Sequence, residues 1–401
     1  MSGGLRVAVV GGSLAGLTMG LLLRDSGHDV HIFERSAELL EGLGAGIIVH
    51  EPTVRYFVER SSIALDDISL TSERLQYLAR DGSVQHEEAS DYRFTAWNSL
   101  FRGLRSLFED DRYHRSHTLS GLDQDADGVY LRFAQGPEGR FDLVVCADGV
   151  NSVGRQRLFG VQASYSGYVG WRGLAGEDEL SPETWRALDN CFTYGVLGDE
   201  HIVAYPIPTV GDDIHVVGRR VNFTWYRNVA AGPQYDELLT DRTGLPRPLS
   251  VPAGLVQDRF VTEIRADAER LLSPQLAELV TTAQAPFITA IVDADVPALA
   301  RGRVCLIGDA AVTARPHAAA GSAKACADAW SLAHALEHAG GDVVSALESW
   351  EVSALRRGRA LLHRTRDMGE RLQGARGTWR PDDPTNRFGL DVPRQAAEAT
   401  P

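Results

Sequence analysis

The chain has 401 residues, with 54 Asp and Glu against 40 Lys and Arg, giving a formal charge of −14 at pH 7. That excess excludes nucleic acid and anionic membrane surfaces as expected partners, because both repel an acidic protein. At 44% hydrophobic content the length suffices for two packed domains, and no uninterrupted apolar run approaches the roughly 18 residues needed to span a bilayer.

Residues 5–10 are an apolar run that predicts a buried strand, and residues 14–23 predict a helix. Between them Gly11 permits a tight turn, Gly12 and Ser13 are small enough for backbone N–H groups to approach a pyrophosphate, and Gly16 allows the helix to pack closely on the strand. Leu14 and Ala15, at the positive end of that helix, belong to the same phosphate site. Ser13 stands where the ideal fingerprint has its middle glycine. The segment lacks a basic leader and is interrupted by Gly11-Gly12-Ser13, so it is expected to be strand plus helix and not a secretion signal. A second strand, residues 29–33, ends at Glu34, the distance expected for an acid that accepts hydrogen bonds from a ribose hydroxyl, with Arg35 beside it. An acid there suits an unphosphorylated ribose, as in FAD or NAD.

Further along, Gly44-Ala45-Gly46-Ile47-Ile48-Val49 precedes His50, and residues 75–78 and 84–86 read as a short hairpin around Asp81-Gly82. Residues 141–147 form a strand ending at Asp148-Gly149, with Ser152 and Arg155 beyond. Residues 166–285 alternate apolar and polar positions in runs such as 201–205 and 213–217. This predicts a mostly antiparallel sheet, with helices near 235–239 and 276–282. Residues 303–307 are another strand, ending at Gly308-Asp309, where a carboxylate can meet a ligand at a parallel strand's C-terminal end. A helix follows from about Gly321. Residues 343–368 have helical periodicity and dense arginine (Arg356, Arg357, Arg359, Arg364, Arg366), which reads as a solvated face, the alternatives being a dimer contact or docking on the cofactor domain. From Gly374 onward the composition predicts a tail that wraps the surface or stays disordered.

Three phosphate-facing segments must converge on one ligand, so the expected organisation is discontinuous. Residues 1–67, 96–164 and 287–345 make a cofactor domain, 68–95 and 165–286 a substrate domain, 346–373 a C-terminal helix and 374–401 a tail. Cys146, Cys191, Cys305 and Cys326 show no Cys-x-x-Cys pair or Cys/His cluster. Buried thiols, no metal site and a cytoplasmic location are expected.

These segments, in this order, resemble the FAD-dependent aromatic hydroxylases, the single-component flavoprotein monooxygenases, over roughly residues 5–365. The signatures are the glycine turn with Glu34, Asp148-Gly149-Val150-Asn151-Ser152-Val153-Gly154-Arg155, and Gly308-Asp309-Ala310-Ala311 followed by Pro316. The resemblance implies that they respectively bind the ADP half of FAD, serve both FAD and the nicotinamide donor, and bind the ribityl and pyrophosphate groups. Three finer stretches are similar to the bacterial 2,6-dihydroxypyridine 3-hydroxylase branch: Tyr168-Val169-Gly170-Trp171-Arg172-Gly173, Ala204-Tyr205-Pro206-Ile207-Pro208, and the residues from Ala314 through Lys324. There Ala319-Ala320-Gly321 stand where most of the wider family has Gly-Gln-Gly.

The implied fold is α/β: a Rossmann-like FAD-binding domain of the para-hydroxybenzoate hydroxylase type, an inserted, mostly antiparallel substrate-domain sheet and a C-terminal helix. The implied activity is an FAD- and NAD(P)H-dependent monooxygenase that hydroxylates an electron-rich aromatic or hydroxypyridine-type heterocycle through a flavin C4a-hydroperoxide, with molecular oxygen as co-substrate. One dinucleotide fingerprint means that NADH or NADPH binds transiently over the flavin. A small aromatic substrate and a homodimer are the expected partners. Two alternatives stand: the same chemistry on a secondary-metabolite intermediate, including Baeyer–Villiger-type insertion, and a flavin-binding oxidase or scaffold without oxygenated product. The second stands because no arginine occupies the neighbourhood of Trp97 and Asn98, where many members place one against the flavin.

An electrophilic oxygen donor needs an activated ring, so the protein must supply orientation, dryness and a base. His317 is the first candidate base, because the resemblance puts its loop against the flavin; otherwise it is a loop histidine bonded to backbone. His50, His215 and Tyr205 are further candidates, although an aromatic on a sheet is often simply packed. Gly321, Ser322, Ala323 and Lys324 open the flavin-facing helix. Lys324, the only lysine in the chain, either stabilises the anionic N1–C2=O edge of reduced flavin or sits exposed. Arg172 and Arg315 either steer an anionic substrate or nicotinamide phosphate, or are surface cations.

Overall fold

Parallel strands set the frame of the fold. In the computed structural model, which describes residues 4–38, 46–136, 139–210 and 216–390, a six-stranded sheet runs in the order Ala300–Arg301, Val304–Leu306, Leu143–Cys146, Arg6–Val10, Asp29–Phe33, Tyr113–His114. All neighbours are parallel except the first pair. Apart from exposed Arg6, its central strands are apolar and buried on both faces, as a sheet covered by helices requires. Val10 is in register with Cys146, and Cys146 with Leu306. The three glycine-bearing segments therefore leave the sheet side by side at one level.

Local packing then admits only particular residues. Gly11 has φ +105°, and a Cβ there would lie 2.3 Å from the Ala147 carbonyl oxygen; a Cβ on Gly16 would lie 1.8 Å from the Gly11 carbonyl oxygen. The turn and the helix Leu14–Asp25 interlock because both positions lack a side chain. Arg155, 1% exposed, ties the second segment to the third. Its guanidinium donates to the carbonyls of Asp309 (2.9 Å) and Ala310 (3.3 Å) and to that of Val150.

The second layer is an eight-stranded sheet, in the order Ser250–Val251, Phe287–Asp293, Ser164–Gly176, Val216–Asn228, His201–Val210, Cys191–Val196, Arg74–Leu78, Val84–Ala89. It is antiparallel but for the pairing of Cys191–Val196 with Arg74–Leu78. Strand alternation divides its residues cleanly. Val221, Phe223 and Trp225 join Ile202 and Ala204 in a core beneath the helices Asp258–Leu271 and Pro274–Thr282. Tyr226, Val203, Tyr205 and Ile207 face the other way, into an aromatic cluster with Tyr194, Phe192, Ala318 and Leu372.

The expected α/β architecture with its inserted sheet is present, and four details differ from the sequence reading. Phe287–Asp293, assigned to the cofactor domain, pairs with Ser164–Gly176 in the eight-stranded sheet. The helix Asp258–Leu271 was not anticipated, although Val261, Ile264, Ala268 and Leu271 recur along one face and pack on the core. The final helix, Val343–Leu372, crosses the expected boundary, and four of its arginines dock on carboxylates, the alternative that stood beside a solvated face, while Arg356 is exposed. Arg357 reaches Asp328 (3.2 Å), Arg359 Asp295 (3.0 Å), Arg366 Asp293 (2.6 Å) and Arg371 Asp383 (2.9 Å). Of the tail, residues 374–390 wrap the molecule: Trp379 is buried and donates to the Tyr77 hydroxyl (3.2 Å), and Phe388 packs on Phe192. His215, Gly44, Ala45 and residues 391–401 lie outside the described residues. No helix among the described residues is long and apolar enough to cross a membrane.

Replacing Arg155 with Met removes the donor of four backbone carbonyls, those of Val150, Val161, Asp309 and Ala310. The expected cost is about 3–5 kcal/mol of stability, and Arg155→Lys should not restore it, since one ammonium cannot span the fork. Thermal unfolding of the two variants checks this.

Candidate active site

Two spaces lie at the C-terminal ends of the parallel strands. The first is a groove of about 200 Å³ at the glycine turn, lined by Gly11, Ser13, Glu34, Arg35, Asp148 and Gly149. The helix Leu14–Asp25 opens at Ser13 with no side-chain cap, leaving its first N–H groups available to an anion. Buried Glu34 accepts from the N–H groups of Gly12 (2.8 Å) and Ser36 (2.9 Å), which holds its carboxylate at the turn. Asp148 offers its backbone rather than its carboxylate. Its side chain accepts from the Ser152 hydroxyl and from the N–H groups of Val153 (2.7 Å) and Gly154 (3.1 Å), capping the helix Val153–Phe159. Burial raises its pKa against those hydrogen bonds. The Asp-x-x-x-Ser pattern before a helix was the available signal for that role.

Gly308 follows its strand beside Asp309, which lines the second space. It has φ +60°, and a Cβ there would sit 3.2 Å from that of Ala15 and 3.3 Å from that of Ala325. Lys324 corrects the sequence reading: it is 2% exposed, not solvated, and its ammonium is held by the Gly308 carbonyl and the Asp328 carboxylate, each at 2.8 Å. Asp328 also accepts from the Gly308 N–H (3.1 Å) and from Arg357. The lysine thus fixes the third segment to the helix Gly321–His338 from behind. Asp309 opens into the cavity although protein surrounds it; that enclosure raises its pKa against the pull of Lys324 and Arg155. The helix begins at Gly321 without a side-chain cap. Ala319, one of the residues replacing the family's glycines, adopts φ +49°.

The second space is a cavity of about 370 Å³ between the eight-stranded sheet and these loops, lined by Pro316, Gly321 and Ser322 on one side and Phe192, Tyr205 and Tyr226 on the other. His317, 5% exposed, lines it; its Nε2 lies 2.7 Å from the Tyr168 hydroxyl, and its Nδ1 has no partner among the described residues. Burial, with His201 and Arg315 nearby, pushes its pKa well below the usual histidine value. His201, not anticipated as a site residue, also lines the cavity at 1% exposure, and burial lowers its pKa to about 3. Its place on an alternating strand beside Tyr205 was the signal that could have found it. Arg172 lines the cavity with no hydrogen bond or ion pair among the described residues, whereas Arg315 is paired with Asp293 at 3.0 Å. Trp97 joins the lining, stacked on Phe101. His50 does not line the cavity; its Nε2 bonds the Ala319 carbonyl at 3.1 Å.

An uncapped helix start behind a glycine turn, an acid at the neighbouring strand end and a carboxylate at the cavity mouth are what FAD requires, and the residues present fit it. No group of His, Cys, Asp and Glu among the described residues could hold a metal ion.

Residues 6–49 match the family described as pyridine nucleotide-disulphide oxidoreductase, and residues 165–293, over the eight-stranded sheet, the family described as FAD binding domain-like. The chain is 43% identical over 386 residues to a 2,6-dihydroxypyridine 3-monooxygenase of Paenarthrobacter nicotinovorans, covering 96% of each chain. The solved structure of 2,6-dihydroxypyridine-3-hydroxylase from Arthrobacter nicotinovorans superposes with a TM-score of 0.92 at 42% identity, covering 97% of this chain and 98% of that one. A salicylate hydroxylase of Pseudomonas putida is 28% identical over 89% of this chain and 83% of its own.

Two outcomes follow from this geometry. Gly11→Ala should yield a folded protein that purifies without flavin colour, read from visible absorbance against total protein. His201 is neutral when folded and titrates near 6.5 when unfolded, so its contribution is complete above about pH 6.5 and is lost as pH falls towards 3, by up to about 1.4 kcal/mol per unit. Melting temperatures between pH 7 and 4 should fall less steeply in His201→Phe than in the parent.

Proposed function

This chain belongs to the FAD-dependent aromatic hydroxylases, and from that premise we propose that it hydroxylates an anionic hydroxypyridine, with 2,6-dihydroxypyridine as the substrate to test first. It is an FAD- and NAD(P)H-dependent monooxygenase acting on an electron-rich aromatic or hydroxypyridine-type heterocycle. Bound FAD supplies the redox chemistry, taking hydride from NAD(P)H and activating oxygen. On this reading Gly11, Ser13, Leu14, Ala15, Gly16, Glu34 and Arg35 hold the ADP half, Asp148 and Gly149 shape the wall beside it, and Gly308, Asp309, Pro316, Gly321, Ser322 and Ala323 hold the remainder. Lys324 acts behind that wall.

The observation that carries the substrate proposal is Arg172. A cation lacking a partner in a cavity faced by Tyr205, Tyr226 and Phe192 calls for a flat ring bearing a negatively charged oxygen. Its charge also favours the ionised, more nucleophilic form of that ring. His317 is a weak base while buried and neutral. We therefore assign it the transfer of a proton through Nδ1, with Nε2 steadied by Tyr168, and assign the lowering of the substrate's pKa to Arg172. Tyr205, stacked 5.1 Å from Phe192, forms the floor under the ring. Four buried, free thiols suit a cytoplasmic location, and light scattering of the purified chain would measure whether it pairs as a homodimer.

A panel of phenols and hydroxypyridines tests the reading. A hydroxypyridine should stimulate NAD(P)H oxidation and give a product one oxygen heavier by mass spectrometry; stimulation by none of them would reject it. Arg172→Met should raise KM for an anionic substrate by roughly tenfold to a hundredfold, the worth of one charge-assisted hydrogen bond of about 1.5–3 kcal/mol. His317→Ala should lower the product formed per NAD(P)H consumed while leaving flavin content intact.

A further inference from the structure

The end of the helix Val343–Leu372 reaches the cavity wall through a chain of three polar side chains. His201 Nδ1 lies 2.9 Å from Gln373 Oε1, and Gln373 Nε2 lies 3.1 Å from Asn228 Oδ1. Asn228 Nδ2 in turn faces two backbone carbonyls, those of Asp199 (2.7 Å) and Gln373 (3.2 Å). His201 and Gln373 are both buried.

Amide orientation and histidine tautomer are settled by what each neighbour is able to do. A backbone carbonyl only accepts, so the Asn228 amide nitrogen must face Asp199 and Gln373, and its oxygen must face the Gln373 side chain. The Gln373 nitrogen therefore faces Asn228, leaving its oxygen towards His201. Turning either amide over would set oxygen against oxygen, at the exposed Asn228 end for one and beside the buried Gln373 for the other. An oxygen that accepts from the imidazole requires the ring proton on Nδ1. Nε2 is then bare, with no partner among the described residues. The tautomer of His317 is not fixed this way, because the Tyr168 hydroxyl beside it can donate or accept.

We propose that Asn228 and Gln373 hold His201 as the Nδ1-protonated tautomer, and that its bare Nε2 is the acceptor by which the cavity recognises a substrate edge carrying an N–H or O–H donor. Gln373 is a positioning residue in this scheme and His201 a specificity-determining one. With Arg172 on the same cavity, the site reads two features of one ring, a donor and an anionic oxygen, which the hydroxypyridine and pyridone forms present together. The proposal rests on the reading of this cavity as the substrate site.

Two measurements on the FAD-loaded full chain test it. In long-range 1H–15N spectra of histidine-labelled protein, with His201→Leu assigning the signals, His201 should show a protonated Nδ1 and an unprotonated Nε2. Gln373→Glu, which still accepts, should keep that pattern, and Gln373→Leu should shift it towards a mixture. In titrations followed by the flavin absorbance, 2-pyridone should bind at least about tenfold more tightly than 1-methyl-2-pyridone, which lacks the N–H, and His201→Leu should erase the preference. A protonated Nε2, or a preference unchanged in His201→Leu, overturns this proposal alone. Absence of any flavin perturbation by either compound in the parent chain overturns the cavity reading and this proposal with it.

Discussion

The alignment of three parallel strand ends is the constraint on which the rest depends. Val10, Cys146 and Leu306 are neighbours across the sheet, so Gly11, Asp148 and Gly308 emerge within reach of one ligand although nearly three hundred positions separate the first from the last. Parallel pairing forces the connections to be long, and a long connection can carry an entire second sheet. The substrate layer is thereby inserted between the cofactor segments, and its inner face is brought against the loop that holds Pro316 and His317. The groove at the glycine turn and the cavity beneath the eight-stranded sheet are consequences of one strand order.

Buried charges hold that arrangement in place, each with its partner. Arg155 satisfies backbone carbonyls from two segments, Lys324 and Asp328 close around Gly308, and Asp293 is shared by Arg315 and Arg366. A charge enclosed without a partner is costly, so such groups are matched in a folded protein unless a ligand completes them. That is why Arg172 differs from the other arginines: it is the cavity-lining cation without a protein counter-charge among the described residues. The same reasoning separates the two cavity histidines, both kept neutral by enclosure, by what binds their second nitrogen.

Much of this was legible in the residues. Gly11, Gly16, Glu34, Gly308 and Asp309 announce themselves because glycine clearance and strand-end acids are local requirements, expressed within a few positions of one another. Period-two alternation likewise foretold the sheet and put Tyr205 on one of its faces. The exposed alternative for Lys324 and the solvated face for the last helix did not hold, since a charged side chain looks solvated until the group that pairs with it in the fold is known. Phe388 gave no signal of its own, and His201 gave only its place on the alternating strand that carries Tyr205.

By itself the sequence determined the strand, turn and helix preferences, the cofactor class through its glycine and acid spacing, and the family, because these follow from short-range sterics and hydrogen bonding. Only the tertiary structure decided which charges are paired, which histidine nitrogen lacks a partner among the described residues and that Arg172 lines the cavity. Those properties depend on enclosure and on contacts such as that of His201 with Gln373, 172 positions apart, and no local pattern records what a distant segment will bring.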